Sequence, residues 1–324
     1  MYTLFLNHPF SCNYWVTYRC NSRCEFCRIW RDSTLMNIPD VSFDTAKNNL
    51  DHLKKMGVSF VDFTGGEPLL NNDLPKILSY AKKQGFFVKL STNGFLYPER
   101  SQEIKGSVSR LYFSFDTTSR EEYKVIRGID GFQRLIESIE IAKKLGEDVC
   151  LTCTLTDKTM KNIEPFAQFC REHKVIGYIH PCFSYFNNEP LSRSSIKKIE
   201  KYFWKPYIRM NLPDLHFYYR GGNDIYHPSC MVGKSTFDIS PDDYLLIPCF
   251  HQCRNKVKIN GTLLSLFRSK EWKEYFRNNG TFDFCNHCTI DCYFGYSYWD
   301  KIGKGFLKEN LSMLKNLIEY TRKK

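Results

Sequence analysis

Cys20-Asn21-Ser22-Arg23-Cys24-Glu25-Phe26-Cys27 places three thiols with three and then two residues between them. Thiols so spaced can converge on one metal centre, whereas an odd number packed so tightly cannot close into disulfides. A closed structural zinc site takes four protein ligands. No fourth Cys or His lies nearby in sequence, so either a distant residue completes the set or one coordination position stays open. An open position on a thiolate-bound centre is a place for chemistry. The competing readings are a zinc knuckle completed from elsewhere and three ordinary buried cysteines.

Outward from this stretch the chain alternates. Asn13 to Tyr18 reads as a strand with Tyr14, Val16 and Tyr18 on one face, delivering Cys20 to the loop at its C-terminal end. Barrel folds carry their chemistry at that end. Ser42 or Asp44 caps a helix through Lys55, with Ala46, Leu50 and Leu53 on one face and Gly57 ending it. A strand from Val58 to Phe63 then runs into Gly65-Gly66-Glu67-Pro68. The two glycines permit positive φ and close backbone approach to a ligand, and Glu67 is the charge presented there. Helix Leu74 to Gln84, strand Phe86 to Thr92, strand Arg110 to Asp116, helix Phe132 to Leu145, strand Val149 to Thr156, helix Asn162 to His173 and strand Val175 to Phe183 continue the pattern. Six strand–helix units predict an α/β fold of parallel strands with right-handed crossovers, an incomplete barrel and not the closed eight.

The C-x-x-x-C-x-x-C of Cys20, Cys24 and Cys27, followed by Gly65-Gly66-Glu67-Pro68, resembles the radical S-adenosylmethionine (radical SAM) superfamily. Motif and context together are more specific than either alone. The resemblance implies a partial (βα)6 barrel in which the three thiolates hold a four-iron, four-sulfur (4Fe-4S) cluster and S-adenosylmethionine binds its fourth iron. By the same resemblance Phe26, Gly65, Gly66, Glu67, Ser91, Asn93, Ser114 and Asp116 bind or position the cofactor. Arg127, in the family's recurring R-G segment, pairs with a carboxylate; a surface ion pair is its other reading. Cys182, with His180 near the end of the sixth strand, reads as a hydrogen-atom donor or as a small buried hydrophobe.

A second group of cysteines follows: Cys230, Cys249, Cys253, Cys285, Cys288 and Cys292. Phe237 to Pro248 reads as a hairpin turning at Pro241-Asp242-Asp243, which returns its ends to one place. With the helical stretch Leu263 to Asn278 and the pair Cys285/Cys288, this resembles the auxiliary-cluster domain of the SPASM and Twitch subfamilies, although Tyr244 stands at the usual hairpin glycine. The resemblance implies one auxiliary 4Fe-4S cluster on Cys230, Cys249, Cys285 and Cys288, with Cys253 or Cys292 as substitutes and a zinc ribbon as the competitor. The expected organisation is a barrel over residues 1–222, including an aromatic connector over 184–222 with a Gly221-Gly222 turn or hinge, then the auxiliary domain over 223–303 and an amphipathic helix over 304–324.

The chain has 324 residues, no apolar run long enough to span a membrane and no signal-peptide pattern, so a cytoplasmic location is expected. Fourteen cysteines then belong to a reducing compartment. The formal charge of +11 favours anionic partners, but the basic residues are scattered and no groove-reading motif is present, so nucleic acid is not expected. The resemblance implies reductive cleavage of S-adenosylmethionine and hydrogen abstraction from a small polar metabolite, with flavodoxin or ferredoxin as electron donor. The alternatives are maturation of a ribosomal peptide substrate and a noncatalytic zinc or iron-sulfur interaction protein.

Overall fold

The computed structural model describes residues 9–184 and 188–294, together with Leu311, Leu314 and Lys315. In chain order the elements are β1 (Ser11–Thr17), α1 (Ser33–Met36), α2 (Phe43–Lys55), β2 (Phe60–Gly65), α3 (Leu74–Lys83), β3 (Phe87–Thr92), α4 (Tyr97–Ile104), β4 (Arg110–Ser114), α5 (Arg120–Arg127), α6 (Phe132–Lys144), β5 (Val149–Leu155), α7 (Ile163–His173) and β6 (Ile176–Pro181). They are followed by α8 (Arg193–Glu200), β7 (Ile208–Arg209), α9 (Leu212–Tyr219), β8 (Thr236–Ile239), β9 (Tyr244–Ile247), β10 (Asn255–Lys258), α10 (Leu263–Arg268) and α11 (Lys270–Phe276).

The local signals act as expected. The Ser42 side chain accepts from the Thr45 N–H at the start of α2, and the Ala46, Leu50 and Leu53 stripe is buried. Along β2 to β5 the alternation separates two environments. Val61, Phe63, Val88, Leu90, Leu111, Phe113, Leu151 and Cys153 are buried. Asp62, Thr64, Lys89, Ser91, Tyr112, Ser114, Thr152 and Thr154 occupy the alternate positions and are only partly buried. A fully buried side chain of the first kind contributes roughly 1.5–3 kcal/mol, so register is strongly held and the second set faces inward as a polar lining.

The strands form one sheet in the order β10-β9-β8-β1-β2-β3-β4-β5-β6-β7. The six barrel strands are parallel, and β7 adds a short seventh beside β6. The hairpin expected after residue 223 is present, but its first strand joins the barrel sheet: β8 runs parallel to β1, from Ser11↔Thr236 to Tyr14↔Ile239. An incomplete barrel leaves β1 with an open edge of unpaired N–H and C=O groups. The four buried residues of β8 cover it, so the sheet is continuous across the expected boundary at 222/223. The single helix expected over Leu263 to Asn278 is two helices, because Ser269 is extended and its side chain caps α11 by accepting from the Trp272 N–H. The helix expected over 304–324 lies almost wholly outside the described residues; of it, Leu311, Leu314 and Lys315 are helical, and the Lys315 ammonium donates to the carbonyls of Ile208 and Lys205. Among the described residues no helix is long and apolar enough to cross a membrane.

Candidate active site

The turn after β2 is stitched to the start of the cysteine loop. Gly66 N–H donates to Thr17 O at 2.9 Å and Glu67 N–H to Arg19 O at 2.8 Å. Neither Gly65 nor Gly66 takes the positive φ expected for them. Their lack of a side chain serves a different contact. A Cβ on Gly65 would stand 2.3 Å from Thr17 O, and one on Gly66 2.2 Å from Arg19 O, so each glycine closely approaches the backbone leading into Cys20. Gly66→Ala is therefore expected to cost about 3 kcal/mol and to impair iron loading at Cys20, Cys24 and Cys27, as read by denaturant unfolding and iron analysis. Unchanged stability would refute that account.

Glu67 is 1% exposed. Its Oε1 accepts from the Thr92 hydroxyl at 2.6 Å and Leu69 N–H at 3.0 Å, and its Oε2 accepts from Asn93 N–H at 2.7 Å. A carboxylate offers about four acceptor positions. Three are used to clamp the turn onto the end of β3, which leaves one on Oε2. Burial raises the Glu67 pKa, and the Thr92, Asn93 and Leu69 bonds oppose that rise. Asn93 is likewise committed inward: its side-chain amide donates to Asn21 Oδ1 and Ser22 Oγ, bracing the cysteine loop.

The other side of that loop is held by the end of α5. Arg23 and Glu25 donate their N–H groups to the carbonyls of Arg127 and Ile126 at 2.8 and 2.9 Å. Gly128 ends the helix at φ 62°. A Cβ there would lie 2.6 Å from the Arg23 backbone oxygen. Arg127 is no surface residue, being 7% exposed. Its Nε donates to Asp116 Oδ2 at 2.5 Å and its Nη1 to Cys24 Sγ at 3.5 Å, with the guanidinium 5.4 Å from the Phe26 ring centre. Asp116 is fully buried and takes the Thr154 N–H on its other oxygen. It does not line the cavity and acts through Arg127.

These contacts build one cavity of about 200 Å³ lined by Cys20, Cys24, Cys27, Phe26, Gly65, Gly66, Glu67, Ser91, Asn93, Ser114 and Arg127. Of the residues expected around the first metal centre, only Asp116 stands behind the wall. Sequence reasoning missed Ser22, Thr64 and Trp30, which also line it. The signal for Trp30 was an aromatic side chain three positions beyond the last cysteine; its indole N–H donates to Cys24 O at 3.1 Å. Among the described residues the side-chain hydroxyls of Thr64, Ser91 and Ser114 have no hydrogen-bond partner in the protein, so they are available to a ligand. Burial pushes the Cys20 thiol up to about 12 and the Cys27 thiol up to about 11. Metal loading must therefore displace protons.

Cys182 is buried in an adjoining cavity of about 250 Å³ that shares Phe26 and includes Glu25, Thr154 and Asn188. His180 lines a third cavity with Tyr178, Arg209 and Asp291, and burial, then the nearby Lys89, lower its pKa to about 4. Neither residue enters the three-thiol cavity.

In the C-terminal half Cys288 acts on Cys230 and Cys249, Cys230 on Cys249, and Cys285 on both Cys230 and Cys288. Burial, opposed by a backbone bond from Val232 and assisted by Cys288 and Cys285, pushes the Cys230 thiol up to about 12. Cys249 is raised by burial, then Asp238, then Cys230, with Cys288 contributing. Asn223, missed in the sequence, organises the turn: its side-chain amide donates to Gly280 O and Cys285 O, and its backbone exchanges bonds with His287 and Cys288. The preceding Gly222 packs against that turn, where a Cβ would stand 2.6 Å from Cys288 O. The two other cysteines lie apart. Cys253 joins the apolar group of Trp15, Tyr18 and Phe250 that Cys27 also touches, and the charges acting on Cys292 are Asp291, Lys89, Asp238 and Asp62. Among the described residues no three His, Cys, Asp or Glu side chains converge on a single ion's position. An iron-sulfur cluster instead takes one thiolate per iron and needs its ligands spread.

A partial parallel barrel with three loop thiols beside a glycine-glycine-glutamate turn defines a class of iron-sulfur, nucleoside-cofactor proteins. Residues 14–170, just under half of the chain, match the radical SAM superfamily. It is similar to the GTP 3',8-cyclase of Aliarcobacter butzleri, with 30% identity over 171 residues covering 50% of this chain and 51% of that protein. The AdoMet-dependent heme synthase of Methanosarcina barkeri is 28% identical over 168 residues, covering 50% of this chain and 47% of that protein. The chain thus spans about half the length of the curated relatives it matches. In fold it is similar to Streptococcus suis SuiB bound to the precursor peptide SuiA, with a TM-score of 0.68 and 16% identity over 85% of this chain and 68% of that one. Native anSMEcpe with bound AdoMet gives a TM-score of 0.62 and 16% identity over 96% of this chain and 99% of that one. The superfamily uses a 4Fe-4S cluster and S-adenosylmethionine. Three thiols beside a buried cation, with unpartnered hydroxyls on the same cavity, fit both groups.

Proposed function

We propose that this protein is an enzyme that cleaves S-adenosylmethionine reductively and removes a hydrogen atom from a carbon of a small polar metabolite. The observation that carries the reading is the single cavity uniting Cys20, Cys24 and Cys27 with Gly65, Gly66 and Glu67. When bound, the cluster and cofactor supply a 5'-deoxyadenosyl radical. The chain's own residues bind and place. Cys20, Cys24 and Cys27 would hold the cluster, with Arg127 offsetting its negative charge at Cys24. The free lone pair of Glu67 would receive the cofactor's amino group, Ser91 and Ser114 its ribose, and Phe26 would supply an apolar wall. Asp116 and Asn93 act as positioning residues through Arg127 and the cysteine loop. Orientation and exclusion of competing hydrogen donors are the protein's share of such chemistry.

The polar inner face supports a polar substrate. The Lys89 ammonium donates to Asp62 Oδ2 at 2.6 Å, and Tyr112, Tyr178 and the neutral His180 lie on the inward face of the neighbouring strands. A second reading, maturation of a peptide, is favoured by the cavity between Phe26, Thr156 and Glu189, which extends the site outward past Cys182. In either case Cys230, Cys249, Cys285 and Cys288 would hold an auxiliary 4Fe-4S cluster whose four thiolates suit electron transfer. In this reading the barrel occupies residues 1–222, the auxiliary unit 223–303 and the C-terminal helix 304–324, with β8 of the auxiliary unit extending the barrel sheet at β1.

Anaerobic reconstitution is expected to give about eight irons per chain and 5'-deoxyadenosine when a reductant is added. Zinc at either set, or no cofactor cleavage, would overturn the reading and leave the noncatalytic one. Cys288→Ala is expected to retain cofactor cleavage within about tenfold while iron falls to about four per chain. Loss of all iron would show that the two sets do not load independently.

A further inference from the structure

We propose that the outer lip of the cysteine loop is the docking face of an acidic one-electron carrier protein, with Trp30 at its centre and Arg23, Arg28 and Arg31 around it. The proposal rests on the reading of Cys20, Cys24 and Cys27 as cluster ligands. Trp30 lines the thiol cavity, and the Arg23 and Arg31 guanidinium carbons stand 5.3 and 4.6 Å from its ring centre.

The same residues grip the ligand loop from outside. Arg23 Nη1 donates to Cys20 O at 2.8 Å and to Ser22 O at 3.0 Å, and the Trp30 indole N–H donates to Cys24 O. A partner touching Trp30 is therefore separated from the cavity by one side chain. Arg23, Arg28 and Arg31 are all exposed. Among the described residues none of the three forms an ion pair. The acids on this face are engaged elsewhere: Asp32 caps α1 by accepting from the Thr34 and Leu35 N–H groups, and Glu25 faces Lys158 at 3.7 Å. Two guanidinium groups against a half-buried tryptophan, with the exposed Arg28 two residues before it in sequence and no ion pair on any of the three among the described residues, combine the residue types that dominate binding hot spots with a field that draws in an anionic surface.

The step itself is simple in balance. The carrier loses one electron, the cluster gains one, and no covalent bond forms or breaks. An arginine–tryptophan stack that merely braced the loop would predict a different response to mutation, because bracing affects every reductant alike.

The test uses the reconstituted protein and an acidic flavodoxin in its hydroquinone form, with cluster reduction followed by loss of visible absorbance. Photoreduced deazaflavin, a small reductant, serves as the control. In Arg28→Glu/Arg31→Glu the flavodoxin rate constant is expected to fall at least about tenfold at low salt, while the deazaflavin rate stays within about twofold. The wild-type flavodoxin rate should fall as salt is added, and the variant's should flatten, since exposed charges are screened within about 10 Å at 0.1 M salt. Calorimetric binding of oxidised flavodoxin to cluster-free protein should show the same wild-type-to-variant loss and does not depend on loading. An unchanged flavodoxin rate, or equal slowing by both reductants, overturns the proposal. A wild-type protein that takes up no iron, yet binds flavodoxin through these arginines, would count against the cluster reading and not against the docking face.

Discussion

Cys24→Ala is expected to lower 5'-deoxyadenosine formation by at least about 10³-fold, equivalent to about 4 kcal/mol of barrier. Two thiols cannot replace three on a cluster that must keep one iron free for the cofactor. Cys24 is also the thiol that Arg127 reaches, at 3.5 Å, so the change removes a ligand and one of the two side-chain partners of the buried cation, the other being Asp116. Product chromatography together with iron analysis checks it: iron at the first set should be lost while the set formed by Cys230, Cys249, Cys285 and Cys288 stays loaded. The backbone should remain intact, because the loop is held by Arg127 O, Ile126 O and Asn93 and not by the Cys24 side chain. A residual rate within tenfold of wild type would remove Cys24 from the ligand set.

Asp116→Ala is expected to destabilise the protein by about 3–5 kcal/mol, because it leaves the buried Arg127 charge without its counter-ion and the Thr154 N–H without its acceptor. Denaturant unfolding measures this. Asp116→Asn, which keeps the shape and one acceptor, should lose less. Replacing both partners by apolar residues of similar volume should recover part of the stability, since no unpaired charge then remains, but cofactor cleavage should stay low because Cys24 has lost its cation. A stability change below about 1 kcal/mol in Asp116→Ala would mean that water reaches this pair and that its burial matters little.

Much of this site was legible before the fold was seen. The strand and helix periods located the barrel elements to within a few residues, because one face of each is apolar at its own repeat. The spacing of Cys20, Cys24 and Cys27 and the later glycine-glycine-glutamate turn named the residues that share the cavity. Their mutual arrangement was less legible. The sequence shows that Gly65 and Gly66 permit a close approach, and the structure adds that Thr17 O and Arg19 O approach them. Asp116 does not line the cavity, and it reaches it only through Arg127, whose Nε donates to its Oδ2. Trp30 and Asn223 carry no motif, and their roles come from hydrogen bonds to Cys24, Gly280 and Cys285.

The amino-acid order by itself determined the chemistry available and the run of local elements, since thiol spacing, caps, turns and apolar periodicity act over a few residues. Only the tertiary structure decided that β8 closes the edge of β1, where Ser11 pairs with Thr236, that Asp238 meets Asn13 and Trp15, and that Cys253 sits beside the first cysteine loop instead of the second set. Those pairings join segments more than two hundred residues apart. They follow from which buried polar groups and open sheet edges can satisfy one another once the chain is compact.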